Sequence, residues 1–229
     1  MTLRLLAVGF AIAGSLAWSK PFHPALYLPI AASVVRVEAD VDNGRLSVGS
    51  GVTVAPSVIA TNCHVVRDAV GVRISGGGTS WPVDAEFGDT HRDVCLLRAP
   101  GWTGAPVAMA DTASPAVGST VVALGFTGGA PIMPRVGNVR ALHDVEGGEV
   151  IEGDAPFNSG ASGGGLFDED GVLVGLLAFR MRNSPTSFYA LPIDWIRAAL
   201  RSGGEWKAVQ PIEGPQPFWQ AGEEFTQRR

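Results

Sequence analysis

The stretch Asn158-Ser159-Gly160-Ala161-Ser162-Gly163-Gly164-Gly165-Leu166 decides how the rest of the chain is read. Ser162 has glycine at 160, 163, 164 and 165. Neither a packed core nor a solvated surface asks for that composition. Glycines clustered around one hydroxyl point to a backbone that turns sharply and comes close to a bound substrate. Backbone N–H groups beside a serine can also converge on one small hole and hold an oxyanion. The competing reading is a flexible Gly/Ser loop with no chemistry, which composition alone leaves open.

Chain order narrows the choice. Gly160-Ala161-Ser162-Gly163-Gly164 fits the Gly-x-Ser-x-Gly elbow, but that arrangement places its acid and its histidine after the serine. All the histidines, His23, His64, His91 and His143, precede Ser162, so the elbow fails. The order His, Asp, Ser remains. Ile59-Ala60-Thr61-Asn62-Cys63-His64-Val65-Val66 reads as an apolar strand ending in a polar turn that carries His64. His91-Arg92-Asp93-Val94-Cys95-Leu96-Leu97 puts Asp93 at the head of an apolar run. His91 reads as a solvated turn residue. His64, His91 and His143 match no zinc-ligand spacing, so no metal is expected.

These pieces resemble the trypsin-like serine proteases of chymotrypsin fold, and most of all the bacterial Deg/HtrA type. The matching motifs are Gly49-Ser50-Gly51-Val52, Thr-Asn-x-His-Val at 61–65, Asp-Val-x-Leu-Leu at 93–97 and Asn-Ser-Gly-x-Ser-Gly-Gly at 158–164. Val136-Gly137-Asn138-Val139 and Phe188-Tyr189-Ala190-Leu191-Pro192 look like further strands of the family. Of the acids Asp84, Asp89, Asp93 and Asp111, only Asp93 leads an apolar run of the family form. The resemblance implies a catalytic set of His64 as base, Asp93 as its orienting acid and Ser162 as nucleophile, with the N–H groups of Gly160 and Ser162 as oxyanion hole. It implies protein or peptide substrates and no cofactor. It puts the floor of the substrate pocket at Pro156 and Phe157 and a wall at Phe188 and Tyr189. With no acid at that floor, cleavage is expected after small or medium apolar residues, because a substrate Lys or Arg would leave its charge without a partner. Ala161 stands where trypsin-type zymogens have an aspartate, and residues 18–24 lack an Ile-Val start, so no activating cleavage is expected. Gly165 stands where many members have proline or alanine, a change of local stiffness. A catalytically silent binding module of the same fold is the rival reading, and an esterase without peptidase activity is a third.

Composition agrees with an ordered, β-rich chain. Of 229 residues, 46% are hydrophobic and 17% charged, which excludes a mostly disordered chain. With 30 glycines and 16 prolines the chain suits many short strands joined by tight turns. The net charge of −5 and the lack of a basic stripe argue against a nucleic-acid partner. Arg4, the apolar run from Leu5 to Leu16 and the small residues of Ser15-Leu16-Ala17 read as a signal peptide over 1–17. The run is shorter than the ~20 residues of a spanning helix, which favours cleavage over an uncleaved anchor and predicts export to the periplasm or beyond. Two cysteines in an exported chain predict a disulfide, Cys63–Cys95, since a hydrogen bond between His64 and Asp93 would bring them together. Two buried free thiols are the alternative.

The expected architecture is all-β: two six-stranded antiparallel barrels and a short C-terminal helix. Residues 18–31, with Pro21, Pro24 and Pro29, read as an irregular lead-in. The protease domain is expected over 32–202, split near 100–115, and a mobile or loosely docked tail over 203–229. Strand signals fall at 34–38, 48–55, 58–61, 70–74, 81–87, 94–97, 107–110, 120–126, 136–142, 149–152, 172–179 and 187–191. Asp168-Glu169-Asp170-Gly171 reads as a hairpin loop. A helix starting with Asp194 as cap, with Trp195, Ile196, Ala199 and Leu200 on one face, ends at Ser202-Gly203-Gly204.

Overall fold

The computed structural model describes residues 23–221 except 42–43, 112–113, 129–131 and 182–183. The segment read as a signal peptide lies outside them. The elements are α1 (Pro24–Ser33), β1 (Val34–Val41), β2 (Arg45–Ala55), β3 (Val58–Thr61), α2 (Cys63–Val66), β4 (Ala69–Gly76), β5 (Thr79–Pro82), β6 (Ala85–Asp89), β7 (Val94–Arg98), β8 (Thr120–Leu124), β9 (Arg135–Val145), β10 (Gly148–Gly153), β11 (Gly165–Asp168), β12 (Leu173–Arg180), β13 (Phe188–Pro192) and α3 (Ile193–Ser202). No helix among the described residues is long and apolar enough to cross a membrane.

The second half is a closed antiparallel barrel in the order β10-β13-β12-β11-β8-β9. The first half is a sheet of seven strands, β5-β4-β1-β2-β3-β7-β6, rather than six. The extra strand arises because the alternating run from Trp81 to Phe87 breaks in two. Its first part pairs with β4 and its second with β7. At the break, the Val83 N–H donates to Val72 O and the Asp84 N–H to Arg98 O. The chain thus steps from one sheet edge to the other, and the sheet curls until its edges meet in one segment.

Three apolar clusters explain the strand sequences. Val35, Val37, Ile59, Ile74, Cys95 and Leu97 fill the first sheet, and Val121, Ala123, Ile151, Leu166 and Leu177 fill the barrel. A third cluster joins the two halves, with Val94 and Leu96 of β7 against Val122, Leu124, Leu173 and Leu176. Strands β7, β8 and β12 therefore bury both faces, which is why they read as continuous apolar runs instead of alternating ones.

Three expectations are corrected. Residues 24–31 are not irregular but belong to α1. His23 Nδ1 accepts the Ala25 N–H as a cap, and Pro24 sits at the helix start, where its missing N–H costs nothing. Pro29 does remove a bond inside the helix, but burial of Ile30 and the Tyr27 hydroxyl on Ile132 O (2.5 Å) offset that loss. Of the two readings of the tail, the stretch from Gly203 to Ala221 is docked, and firmly, rather than mobile. Lys207 exchanges two backbone hydrogen bonds with Glu86, the Ile212 N–H donates to Arg67 O, and the Phe218 N–H to His91 O. Phe218 is buried against Trp195 and Phe179. The prolines that suggested disorder hold an extended path whose aromatic residues find a core. In α3, Pro192 rather than Asp194 is the N-cap; Asp194 lies in the first turn, and Gly203 closes the helix in the left-handed conformation.

Candidate active site

His64 sits on α2, a single turn after β3. Asp93 sits in the turn before β7. Strands β3 and β7 are paired with Thr61 opposite Cys95, so the two turns meet at the same end of the sheet. The Cys63–Cys95 disulfide crosses beside them, with Cα atoms 4.9 Å apart. Asp93 is fully buried and has φ +61°, a strained conformation that aspartate tolerates better than most residues. Its backbone carbonyl accepts from Asn62 Nδ2 (3.1 Å) and the Cys63 N–H (3.3 Å). Its carboxylate accepts from the His64 N–H on Oδ1 (2.8 Å) and meets His64 Nδ1 on Oδ2 (2.7 Å). That pairing fixes the tautomer: with the proton on Nδ1, Nε2 is the free acceptor. A third donor, Trp219 Nε1, reaches Oδ2 at 3.2 Å.

Ser162 stands on the turn before β11, in the closed barrel. Gly160 has φ +95°, and a Cβ there would lie 2.7 Å from Phe126 O. Gly163 has φ +85°, and its Cβ would meet Ser50 O at 2.1 Å. Any side chain at 163 would push the turn off β2, so the glycine is required by close approach. Ser50 clamps the turn: its N–H donates to Ser162 O (2.8 Å) and its hydroxyl to Gly160 O (2.7 Å). The Gly49 backbone runs between the Val65 side chain and the Ser162 carbonyl, which brings the serine turn next to α2. Among the described residues no hydrogen bond takes up the N–H of Gly160 or of Ser162, so both are available to an oxyanion. The Ser162 hydroxyl donates to Ala178 O (3.0 Å) and makes no hydrogen bond to His64 among the described residues.

The other candidates are accounted for elsewhere. Asp84 pairs with Arg98, Asp111 with Arg197, and Asp89 caps the N–H groups of His91 and Arg92. His91 is half-buried and ion-paired with Glu146 (2.7 Å), rather than freely solvated. His143 is buried on Glu152 (2.7 Å). Phe157 and Phe188 meet with centroids 5.2 Å apart, and Pro156 lies at the surface beside them. Tyr189 does not join them. It faces the opposite side of β13, stacked on Phe179 at 4.9 Å, where burial pushes its hydroxyl up to about 12. A cavity of about 130 Å³ beside the serine turn is lined by Met133, Arg135, Pro156, Phe157, Ala161 and Leu177, among others. Sequence reasoning missed Ser50 as a clamp and Trp219 altogether. The Gly-Ser-Gly motif gave a signal for the first, but nothing marks a lone tryptophan among prolines.

The trypsin-like peptidase domain model matches residues 49–176. The chain is 33% identical to the anti-sigma-I factor RsgI9 of Acetivibrio thermocellus over 72% of this chain and 24% of that protein. It is 29% identical to a probable periplasmic serine endoprotease, DegP-like, of Halomonas elongata, over 66% of this chain and 34% of that protein. It therefore spans about a third or less of the length of these curated relatives. The crystal structure of the Rv3671c protease from M. tuberculosis, active form, superposes with a TM-score of 0.73 at 22% identity, covering 93% of this chain and 99% of that one. At such identity the likeness bears on the fold, which is the curled sheet and closed β-barrel described above. Together with the motif order, the matched model over more than half of the residues means that the chain belongs to the trypsin-like peptidase family, among relatives of the Deg/HtrA type.

Proposed function

We propose that the chain is a serine endopeptidase that works through His64, Asp93 and Ser162 by way of an acyl-enzyme. The observation that carries this reading is the His64–Asp93 pair, 2.7 Å apart on a fully buried carboxylate, beside the glycine-rich turn of Ser162. His64 Nε2 takes the Ser162 proton as the hydroxyl oxygen attacks the peptide carbonyl carbon. Asp93 holds the Nδ1 proton and stabilises the imidazolium. The N–H groups of Gly160 and Ser162 bind the oxyanion. The imidazolium then protonates the leaving amine, and water repeats the cycle on the acyl-enzyme. For this the Ser162 hydroxyl turns from Ala178 O to His64, a tightening that bound substrate commonly supplies. Ser162→Ala and His64→Ala should each lower peptide hydrolysis by on the order of 10⁶, and the double variant by little more. Undiminished turnover in pure Ser162→Ala protein would sink the assignment. The bond from Ser162 to Ala178 is what favours the silent binding module as second reading, and failure of a fluorophosphonate to label Ser162 would establish it.

The substrate pocket is proposed at Pro156, Phe157 and Phe188, with preference for small or medium apolar residues. Support comes from Met133, Pro156, Phe157 and Leu177, which line the 130 Å³ cavity with no acid among its lining residues, from Phe188 packed on Phe157, and from Arg135, which repels a substrate cation. Asp154, the nearest acid in sequence, is engaged elsewhere: it accepts the Asn138 N–H (2.6 Å) and pairs with Arg140. Burial works against its charge, but those two donors hold its carboxyl below the usual range. A peptide-library profile dominated by Lys or Arg would refute this preference. Export is proposed from residues 1–17 and agrees with the periplasmic name of the Halomonas relative.

A further inference from the structure

Asp93 carries a carboxylate with no exposed surface, and such a group keeps its charge only if donors surround it. Two of its three donors belong to His64. The third is Trp219, at 3.2 Å from Oδ2. An indole nitrogen only donates, so the direction of this bond is not in question. The ring is held in place on two further sides. It stacks on Phe179, with centroids 4.8 Å apart and planes 11° from parallel, and meets the His64 ring edge-on at 5.5 Å. The adjacent Phe218 is a buried anchor, and Arg67 grips the same segment through the carbonyls of Gly214 and Pro215. The segment from 203 to 221 is thus fastened at both ends of its path before it reaches the acid–base pair.

We propose that Trp219 is a positioning residue for catalysis: its N–H fixes the Asp93 carboxylate and its ring confines His64. This rests on the serine-protease reading of the same site. The bond keeps Oδ2 turned to His64 Nδ1 and Oδ1 to the His64 N–H, so the carboxylate cannot rotate away from the imidazole. It also withdraws part of the carboxylate charge from His64. Without it, more of that charge falls on the imidazole.

Trp219→Phe tests this, because it keeps both ring contacts and removes the N–H. We expect kcat to fall about tenfold, as for loss of one hydrogen bond to a charged group, with KM nearly unchanged. The acid limb of the kcat/KM profile should move to higher pH, which a merely structural role would not produce. Trp219→Ala, which also uncovers His64, should fall further. In NMR spectra of the intact protein, the Trp219 indole proton should follow the protonation of His64 with a shared apparent pKa. Three results would overturn the proposal: a Trp219→Phe enzyme with wild-type kcat and acid limb, an indole proton indifferent to His64, or a Trp219→Ala variant faster than wild type, which would make the indole an obstacle to substrate. Wild-type protein that neither cleaves peptides nor takes a fluorophosphonate would instead fail the protease reading, and the NMR titration still decides whether the indole holds Asp93.

Discussion

Ser50 shows how much one small side chain can arrange. It is fully buried and bonded on every polar atom. Its N–H and hydroxyl hold the carbonyls of Ser162 and Gly160, its oxygen Oγ accepts the Phe126 N–H (2.8 Å), and its carbonyl accepts from Thr61 Oγ1 (2.7 Å). The two carbonyls it holds lie on the peptides flanking the one that carries the Ser162 N–H. Ser50 therefore sets the plane of an oxyanion donor without touching substrate. Ser50→Ala keeps the backbone bond and loses the two made by the hydroxyl. The expected result is a kcat lower by roughly tenfold to a hundredfold with little change in KM, since misplacement rather than loss of a donor is at issue. Burst kinetics would locate the loss in the acylation step; an unchanged burst rate would show that the hole is set by the glycines alone. The serine was visible in the sequence as part of Gly49-Ser50-Gly51, but its work was not, because its partners lie 76 and 110 residues away.

Among elements, the pairing of β3 with β7 does most to build the acid–base pair, and the Cys63–Cys95 bridge reinforces it. Replacing both cysteines with alanine should cost roughly 2–4 kcal/mol of stability by denaturant unfolding. Activity at low temperature should fall much less, because Asn62 Nδ2 and the residue-63 N–H still hold the Asp93 carbonyl. A variant that unfolds normally but loses most of its turnover would show that the bridge positions Asp93 directly. This region was the most legible: β3 occupies Val58–Thr61 as the apolar run predicts, and the disulfide was expected from two cysteines in a chain read as exported, each beside a member of the His64–Asp93 pair. Legibility fails where long-range pairing outweighs local signals. Strand β11 was not read at all, since Gly165–Asp168 begins in glycine, and it exists only because β8 and β12 flank it. The run over 81–87 alternates like one strand, yet Val83 and Asp84 must serve two different edges. Tyr189, one residue from Phe188, faces the other side of the sheet, the cost of reading a wall from a strand without its register.

At the scale of the whole molecule, the segment after α3 closes over the first sheet and seals in Glu86. This residue is buried on β6, and its Oε1 accepts only a long bond from the Gln210 N–H (3.3 Å). Among the described residues Oε2 has no hydrogen-bond partner. Burial pushes its carboxyl up to about 7, and the Gln210 N–H offsets only part of that. The sign follows from linkage. The folded protein binds this proton more tightly than the unfolded chain, whose carboxyl has an ordinary value near 4.5. Stability from Glu86 is therefore greatest below pH 4.5 and is lost as pH rises from there to about 7, above which the deficit is constant. The loss should be a few kcal/mol, and the covering segment should feel it first, because releasing it is the simplest way to hydrate the carboxylate. Glu86→Gln should remove the effect: its melting temperature should match wild type at the acid end of that window and exceed it above pH 7. Hydrogen exchange at Lys207 and Gln210 should accelerate with pH in wild type beyond the ordinary base-catalysed rise, and not in the variant. Equal melting temperatures for the two proteins at pH 8 would mean that water already reaches Glu86 beneath the closed segment.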